Sequence, residues 1–164
     1  MQIRPACADD YDGVEAMVAR RAAWMLERGL SARPEVAQAM AEQAAEDDTP
    51  MWVLVDDATI LGCTSAYTES PEWGFTDQER AIPALFLAST WTVPNTHRWG
   101  WTLARWALDH AARTGRDEVR RGTFAPGLVR YYTSVQGWRV VREVDRRTRT
   151  CTFLTRPSER RSDF

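Results

Sequence analysis

The stretch from Leu85 to Ala111, LFLASTWTVPNTHRWGWTLARWALDHA, constrains the fold of this chain most. An apolar run rich in β-formers, Leu85 to Val93, ends at Pro94 and a polar turn. The loop His97-Arg98-Trp99-Gly100-Trp101-Thr102 follows, and then a helical pattern. Trp99, Leu103, Trp106, Ala107 and His110 recur at helical spacing on one face, with Trp101, Ala104, Leu108 and Ala111 beside them. Thr102, Arg105, Asp109 and Arg113 form the polar face, and Gly115 is a stop signal. A strand that breaks into a turn opening a helix is a ready anion site. The first helical turn has unpaired N–H groups and the positive end of the macrodipole. Gly100, without a Cβ, lets backbone come close to a phosphate. The segment predicts a phosphorylated ligand at that turn.

Around it the chain reads as strand, helix, helix, strand, strand, strand, helix, strand, helix, strand, strand. Gln2 to Ala6 is the first strand. A helix starting near Asp9 and Asp10 carries the stripe Val14, Met17, Val18, Arg21, Ala22 and Met25, and ends near Gly29. A second opens at Pro34 and Glu35 with Val36, Ala39, Met40 and Gln43 on one face. Met51 to Val55 and Thr59 to Thr68 form a hairpin around Asp56-Asp57. Glu69 to Pro83 is a polar loop. Glu118 to Thr123 is a strand, Pro126 to Val135 a short helix, and Trp138 to Val144 with Thr148 to Thr155 a last hairpin. This order predicts an α/β chain with a mixed sheet covered by helices on both faces. The 164 residues suit one domain, 1–156, with a frayed polar tail over 157–164.

No secretory signal is evident and no apolar run approaches the roughly 20 residues needed to span a bilayer. A cytoplasmic protein without a membrane partner is expected. Cys7, Cys63 and Cys151 have no metal spacing and read as reduced, buried thiols. No metal site is expected; His110 reads as a core histidine. All 21 basic residues are arginine, which points to a GC-rich, bacterial coding genome. From Met1 to Pro83 there are 16 acids and 6 arginines; from Ala84 onward there are 7 acids and 15 arginines. The basic half contains the anion loop, and the acidic half would attract a cationic co-substrate. Arg142, Arg146, Arg147 and Arg149 alternate with strand residues without an aromatic platform, so nucleic acid is not an expected partner. The terminal hairpin leaves an edge through which homodimerisation is expected.

The element order and two motifs resemble the GNAT-type N-acetyltransferase superfamily, over nearly the whole chain. The family's phosphate loop, a Gln or Arg, two residues, Gly, one residue, then Gly or Ala, falls on His97 to Thr102. Gly100 is kept; His97 and Thr102 replace the usual residues. Leu128-Val129-Arg130-Tyr131-Tyr132-Thr133-Ser134-Val135-Gln136-Gly137-Trp138 is similar to the family's late helix, where a tyrosine precedes a Gly-aromatic turn. One residue is inserted before Gly137. Phe124 or Ala125 stands where the family often has asparagine. Arg120 and Arg121, with Glu118 nearby, stand where some members place a glutamate base.

The resemblance implies an acetyl-CoA-dependent N-acetyltransferase acting on an amine acceptor. The alternative is an acyl-CoA-binding module without turnover. It implies that pantetheine pairs with backbone over Thr90 to Val93, thus with Trp91, Thr92 and Val93. The phosphates would lie on His97, Arg98, Trp99, Gly100, Trp101 and Thr102, with His97 capping the turn and Trp99 and Trp101 packing it. Tyr132, or in the other register Tyr131, would protonate the leaving thiolate. Glu69, Glu72, Asp77 and Glu79 are candidate bases. Trp24, Tyr67, Trp73 and Phe75 are candidate walls of the acceptor pocket.

Overall fold

The computed structural model describes residues 1–95 and 97–164. The expected order of elements is present, with one addition. Strands β1 (Gln2–Pro5), β2 (Met51–Asp56), β3 (Thr59–Tyr67), β4 (Ala84–Thr92), β5 (Glu118–Thr123), β6 (Arg139–Arg146) and β7 (Arg149–Pro157) form one sheet, ordered β1-β2-β3-β4-β5-β7-β6. The β4–β5 ladder is parallel; β1–β2, β2–β3, β5–β7 and β6–β7 are antiparallel. The helices are α1 (Tyr11–Glu27), α2 (Val36–Ala45), α3 (Asp77–Arg80), α4 (Trp99–Arg113) and α5 (Pro126–Ser134). The addition is α3, inside the loop read as irregular. Thr76 starts it with a reciprocal cap: Glu79 N donates to Thr76 Oγ1 at 3.1 Å, and Thr76 N donates to the Glu79 carboxylate at 2.8 Å.

Two compact units partition the chain, one of Met1–Ser65 with Ser89–Leu103, the other of Ala66–Ala88 with Ala104–Phe164. In the first, the stripe of α1 (Val14, Met17, Val18) and the inner face of α2 (Val36, Met40, Ala44) close on Met51, Val53, Val55, Ile60 and Cys63. Gly13 lets α1 approach β3, because a Cβ there would stand 2.7 Å from Ile60 Cγ1. A bidentate pair fixes the chain ahead of α1: Arg4 donates to both Asp10 oxygens at 2.7 and 2.8 Å. That hydrogen bonding holds the Asp10 carboxyl below its ordinary range. Burial lifts the Cys63 thiol to about 12, so it stays a thiol. Cys151 is also buried, but Cys7 is exposed, contrary to the expectation for all three. It precedes the short 3-10 turn Ala8–Asp10 and packs into no core.

In the second unit, Phe75, Cys151 and Phe153 form a core with Phe86, Val141 and Val144 against it. Gly74 and Gly122 both face the Phe153 ring, where added Cβ atoms would lie 2.4 and 2.9 Å from it. The polar tail departs from expectation: it is tied down. Ser158 N donates to Asp117 O at 2.9 Å, Glu159 N to Leu108 O at 3.1 Å, and Arg161 N to the buried Asp109 carboxylate at 2.8 Å. Arg113 reaches the carbonyl of Phe164 at 3.0 Å. Each of these bonds satisfies a backbone group that a frayed tail would leave to water. The terminal strand β6 carries a bulge between Val140 and Arg142 and the charges Arg139, Arg142, Glu143, Asp145 and Arg146. Strand edges resist pairing by such features, which weighs against homodimerisation there.

Candidate functional site

The residues expected to serve one site fall in both units, and each group has its own geometry. In the first unit, β4 ends in a clamped segment. Arg21 of α1 donates to Thr92 O at 2.7 Å, Thr92 Oγ1 at 2.9 Å and Val93 O at 3.0 Å. Val93 N donates to Leu61 O at 2.9 Å, and the Thr64 and Thr90 hydroxyls are 2.8 Å apart. Gly62 permits this closeness: a Cβ there would stand 3.0 Å from Trp91 O and from Thr92 Cγ2. Ser89 has φ +54, a left-handed kink inside a strand. Its place is meaningful, because the ladder to β5 runs from Ala84↔Glu118 to Leu87↔Arg121 and stops just before it.

Beyond β4 the chain turns into α4. His97 N donates to the Asn95 side chain at 3.0 Å, and Arg98 adopts φ +56. Arg98 O accepts the first helical bonds, from Trp101 N at 2.8 Å and Thr102 N at 3.3 Å. The N–H groups of Trp99 and Gly100 precede those bonds. A left-handed residue followed by helical ones converges successive N–H groups into an anion-binding concavity. A Cβ on Gly100 would meet nothing within 4 Å, so the space over this turn is open. His97 is exposed and stacks on Trp99, with ring centres 5.1 Å apart, and Trp99 packs against the first unit's core. Trp91, Thr92, Trp101 and Thr102 are half-buried, Val93 is buried and Arg98 is exposed.

In the second unit, α5 begins with Pro126 at its first position and ends at Val135 in a wide turn. Val135 N and Gln136 N both donate to Tyr131 O, Gly137 takes φ +71, and Trp138 N donates to Tyr132 O at 3.0 Å. That turn sets where α5 ends ahead of Trp138. Tyr132 is buried and Tyr131 half-buried. Among the described residues the Tyr132 hydroxyl has no hydrogen-bond partner. Arg121 of β5 lies over its ring, 4.0 Å from the centre.

The candidate bases are mostly occupied. Glu79 holds Arg142 bidentately, and this hydrogen bonding keeps its carboxyl at about 2. So acidic a group does not take a proton from an ammonium. Glu72 and Asp77 flank Arg80 at 3.6 and 3.8 Å. Glu118 binds Arg120 and accepts from the Thr155 hydroxyl at 2.7 Å. Glu69 is exposed, has no ion pair among the described residues, and lines a cleft of about 280 Å³ with Ser70, Asp77 and Arg80. The aromatic residues expected as pocket walls divide likewise. Phe75 is spent in the core, and Trp73 packs edge-on to Phe153 at 4.8 Å beneath Arg146. The guanidiniums of Arg21 and Arg28 both lie over the Trp24 ring, at 4.8 and 4.0 Å from its centre, and Tyr67 is exposed. His110 is half-buried and stacks on Trp106; burial lowers its pKa.

Sequence reasoning gave no role to Arg21 or Arg121. A signal for each existed. Arg21 is the one charged member of the apolar stripe of α1, and Arg121 is a charge in the middle of an interior strand.

No protein-family model matches the chain, and no curated protein matches it in sequence. Solved structures do match in fold. A GNAT-family acetyltransferase from Listeria monocytogenes superposes with a TM-score of 0.73 at 10% identity, covering 95% of this chain and 94% of that one. An aminoglycoside 6'-acetyltransferase of type Ii gives 0.67 at 14% identity, over 98% and 99% of the two chains. A Salmonella typhimurium protein described as an acetyltransferase, determined with its cofactor acetyl-CoA, gives 0.60 at 17% identity over 98% and 95%. The chain has the fold of GNAT acetyltransferases.

Proposed function

We propose that this chain is an acetyl-CoA-dependent N-acetyltransferase that moves the acetyl group directly to an amine. The observation that carries the reading is the open turn at Gly100, where a left-handed Arg98 and the first N–H groups of α4 follow a strand whose end is clamped. In the shared fold that turn is suited to the pyrophosphate of CoA, and the backbone of Trp91 to Val93 to its pantetheine arm. Arg21 holds the carbonyls of Thr92 and Val93, which leaves this backbone fixed before a ligand arrives. A neutral amine attacks the thioester carbonyl. The C–N bond forms, the C–S bond breaks, and the thiolate takes a proton from the Tyr132 hydroxyl. The proton lost by the amine goes to water, and the Tyr132 phenolate recovers one from solvent. Glu79, Glu72, Asp77 and Glu118 are engaged by arginines, which favours solvent, or Glu69 through solvent, as its carrier.

The same engagement of carboxylates supports a second reading, an acyl-CoA-binding module without turnover. Thiol release from acetyl-CoA against a panel of amines separates the two. Amine-dependent release supports the enzyme. Tight CoA binding without release supports the module, and absence of CoA binding refutes both.

A further inference from the structure

Successive side chains of a strand point to opposite faces, so Arg120 and Arg121 of β5 look in opposite directions. Both are buried, at 2% and 6% exposure. Their surroundings differ in kind. Arg120 is saturated: Glu118 accepts from it, as do the Ser70 hydroxyl at 2.9 Å and Glu79 O at 2.7 Å, and Phe75 lies against it at 4.7 Å. Among the described residues, Arg121 has no carboxylate partner and its guanidinium has no hydrogen-bond acceptor. Its contacts are ring faces, Tyr132 at 4.0 Å and Trp138 at 5.3 Å.

A guanidinium cannot escape burial by losing its proton. Leaving a buried charge without a counter-ion is strongly unfavourable, and cation–π contacts offset only part of that. Yet the residue is not wholly enclosed: Arg121 and Tyr132 keep 6% and 8% of their surface exposed, so a margin of each meets solvent. The two aromatic rings hold the guanidinium in place while its donors stay unspent. A planar fork held this way is pre-organised to take a carboxylate with two parallel hydrogen bonds.

We propose that Arg121 anchors a carboxylate of the substrate beside Tyr132. The inference rests on the acyl-transfer reading for its choice of ligand and narrows that reading: one of the two reactants is an acid. The carboxylate belongs either to the acyl group, as in a dicarboxylic acyl thioester, or to the acceptor, as in an amino acid. Arg121 meets the same group in both.

The test compares wild type with Arg121→Gln and Arg121→Lys in three measurements. Thiol release is followed with succinyl-CoA against butyryl-CoA, and with L-amino acids against their amides at matched free-amine concentration. Thermal melting is followed with succinate against succinamide. Calorimetry gives the affinity for CoA itself. Wild type is expected to favour the carboxylate member of one kinetic pair by about 10- to 100-fold. Arg121→Gln abolishes that preference, Arg121→Lys keeps part of it, and CoA affinity is unchanged in both. The pair that discriminates identifies the source of the carboxylate. If CoA binds none of the proteins, the acyl-transfer reading fails by itself. Succinate then decides: a melting shift in wild type that is lost in Arg121→Gln supports the anchor, and no shift overturns it. Absence of any preference in wild type, or a preference that survives Arg121→Gln, also overturns it. Arg121→Met separates anchoring from a structural role. Removing an unpaired buried charge leaves the melting temperature equal or higher, whereas a structural role requires it to fall.

Discussion

Replacing Gly100 by glutamate should strengthen the fold and weaken CoA binding at once, and that opposition makes it informative. Gly100 is the second residue of α4, and an added Cβ meets nothing within 4 Å, so no clash opposes a side chain. Losing glycine from a helix gains up to about 1 kcal/mol. A carboxylate in the first turn adds about 0.3–1 kcal/mol through the macrodipole. For a chain of 164 residues, each kcal/mol raises the melting temperature by roughly 2–4 °C. The same carboxylate would stand against the pyrophosphate. At about 5 Å with water-like screening it repels each phosphate charge by about 0.8 kcal/mol. Two charges exceed tenfold in Kd, and weaker screening at the turn enlarges the loss. Calorimetry with CoA at low and high salt, beside thermal melts of wild type, Gly100→Ala and Gly100→Glu, reads both effects. Gly100→Ala separates size from charge and should lose less affinity than Gly100→Glu. Unchanged CoA affinity in a folded Gly100→Glu protein would refute the site.

Tyr132→Phe removes the hydroxyl and keeps the ring under Arg121, so kcat should fall by roughly 10²–10⁴-fold with little change in the KM for acetyl-CoA. Tyr131→Phe should be milder, and a large loss confined to it would move the acid one residue back. Arg21→Met removes three hydrogen bonds from Thr92 and Val93 at a cost of about 1–3 kcal/mol. It should raise the KM for acetyl-CoA, with partial recovery in Arg21→Lys; an unchanged KM would show that the clamp does not set the strand end. Glu79 has its folded-state pKa lowered from 4.5 to about 2, so the folded protein binds fewer protons there than the unfolded chain. Its contribution with Arg142 is complete above the ordinary carboxylate range and disappears as pH falls from about 4.5 towards 2. Acid unfolding followed by circular dichroism should show this loss in wild type. Glu79→Gln should be less stable at neutral pH and flatter over that window; equal acid limbs would count against it.

The periodic elements were legible because their sequence patterns and stop signals agree. The stripe of α1, the hairpin around Asp56-Asp57 and the turn into α4 all stand where spacing put them. What escaped depends on partners distant in sequence. The tail 158–164 is polar and carries no sign that Asp109, Arg113 and Leu108 hold it. Glu79 reads as a loop charge until Arg142, 63 positions away, engages it. The inserted residue before Gly137 left the tyrosine register open, since spacing does not say how a helix ends. The paired donations to Tyr131 O and the left-handed Gly137 show how it ends here. Phe75 and Trp73 look like pocket walls as isolated aromatics in a loop, yet Phe153 claims both.

Every side-chain cation that ties this fold together is a guanidinium: Arg4 on Asp10, Arg120 on Glu118, Arg142 on Glu79, Arg113 on Asp109. The chain contains no lysine, so it has no side-chain amine at all. A guanidinium stays protonated at any working pH and offers no lone pair to a thioester. Its side chains therefore offer acetyl-CoA no amine to modify, and exposed Cys7 is the thiol that stays open to the thioester. In a high concentration of the thioester it accumulates no acetyl-lysine of its own. Label appearing on other amines in an assay is then read against no lysine background from the protein itself.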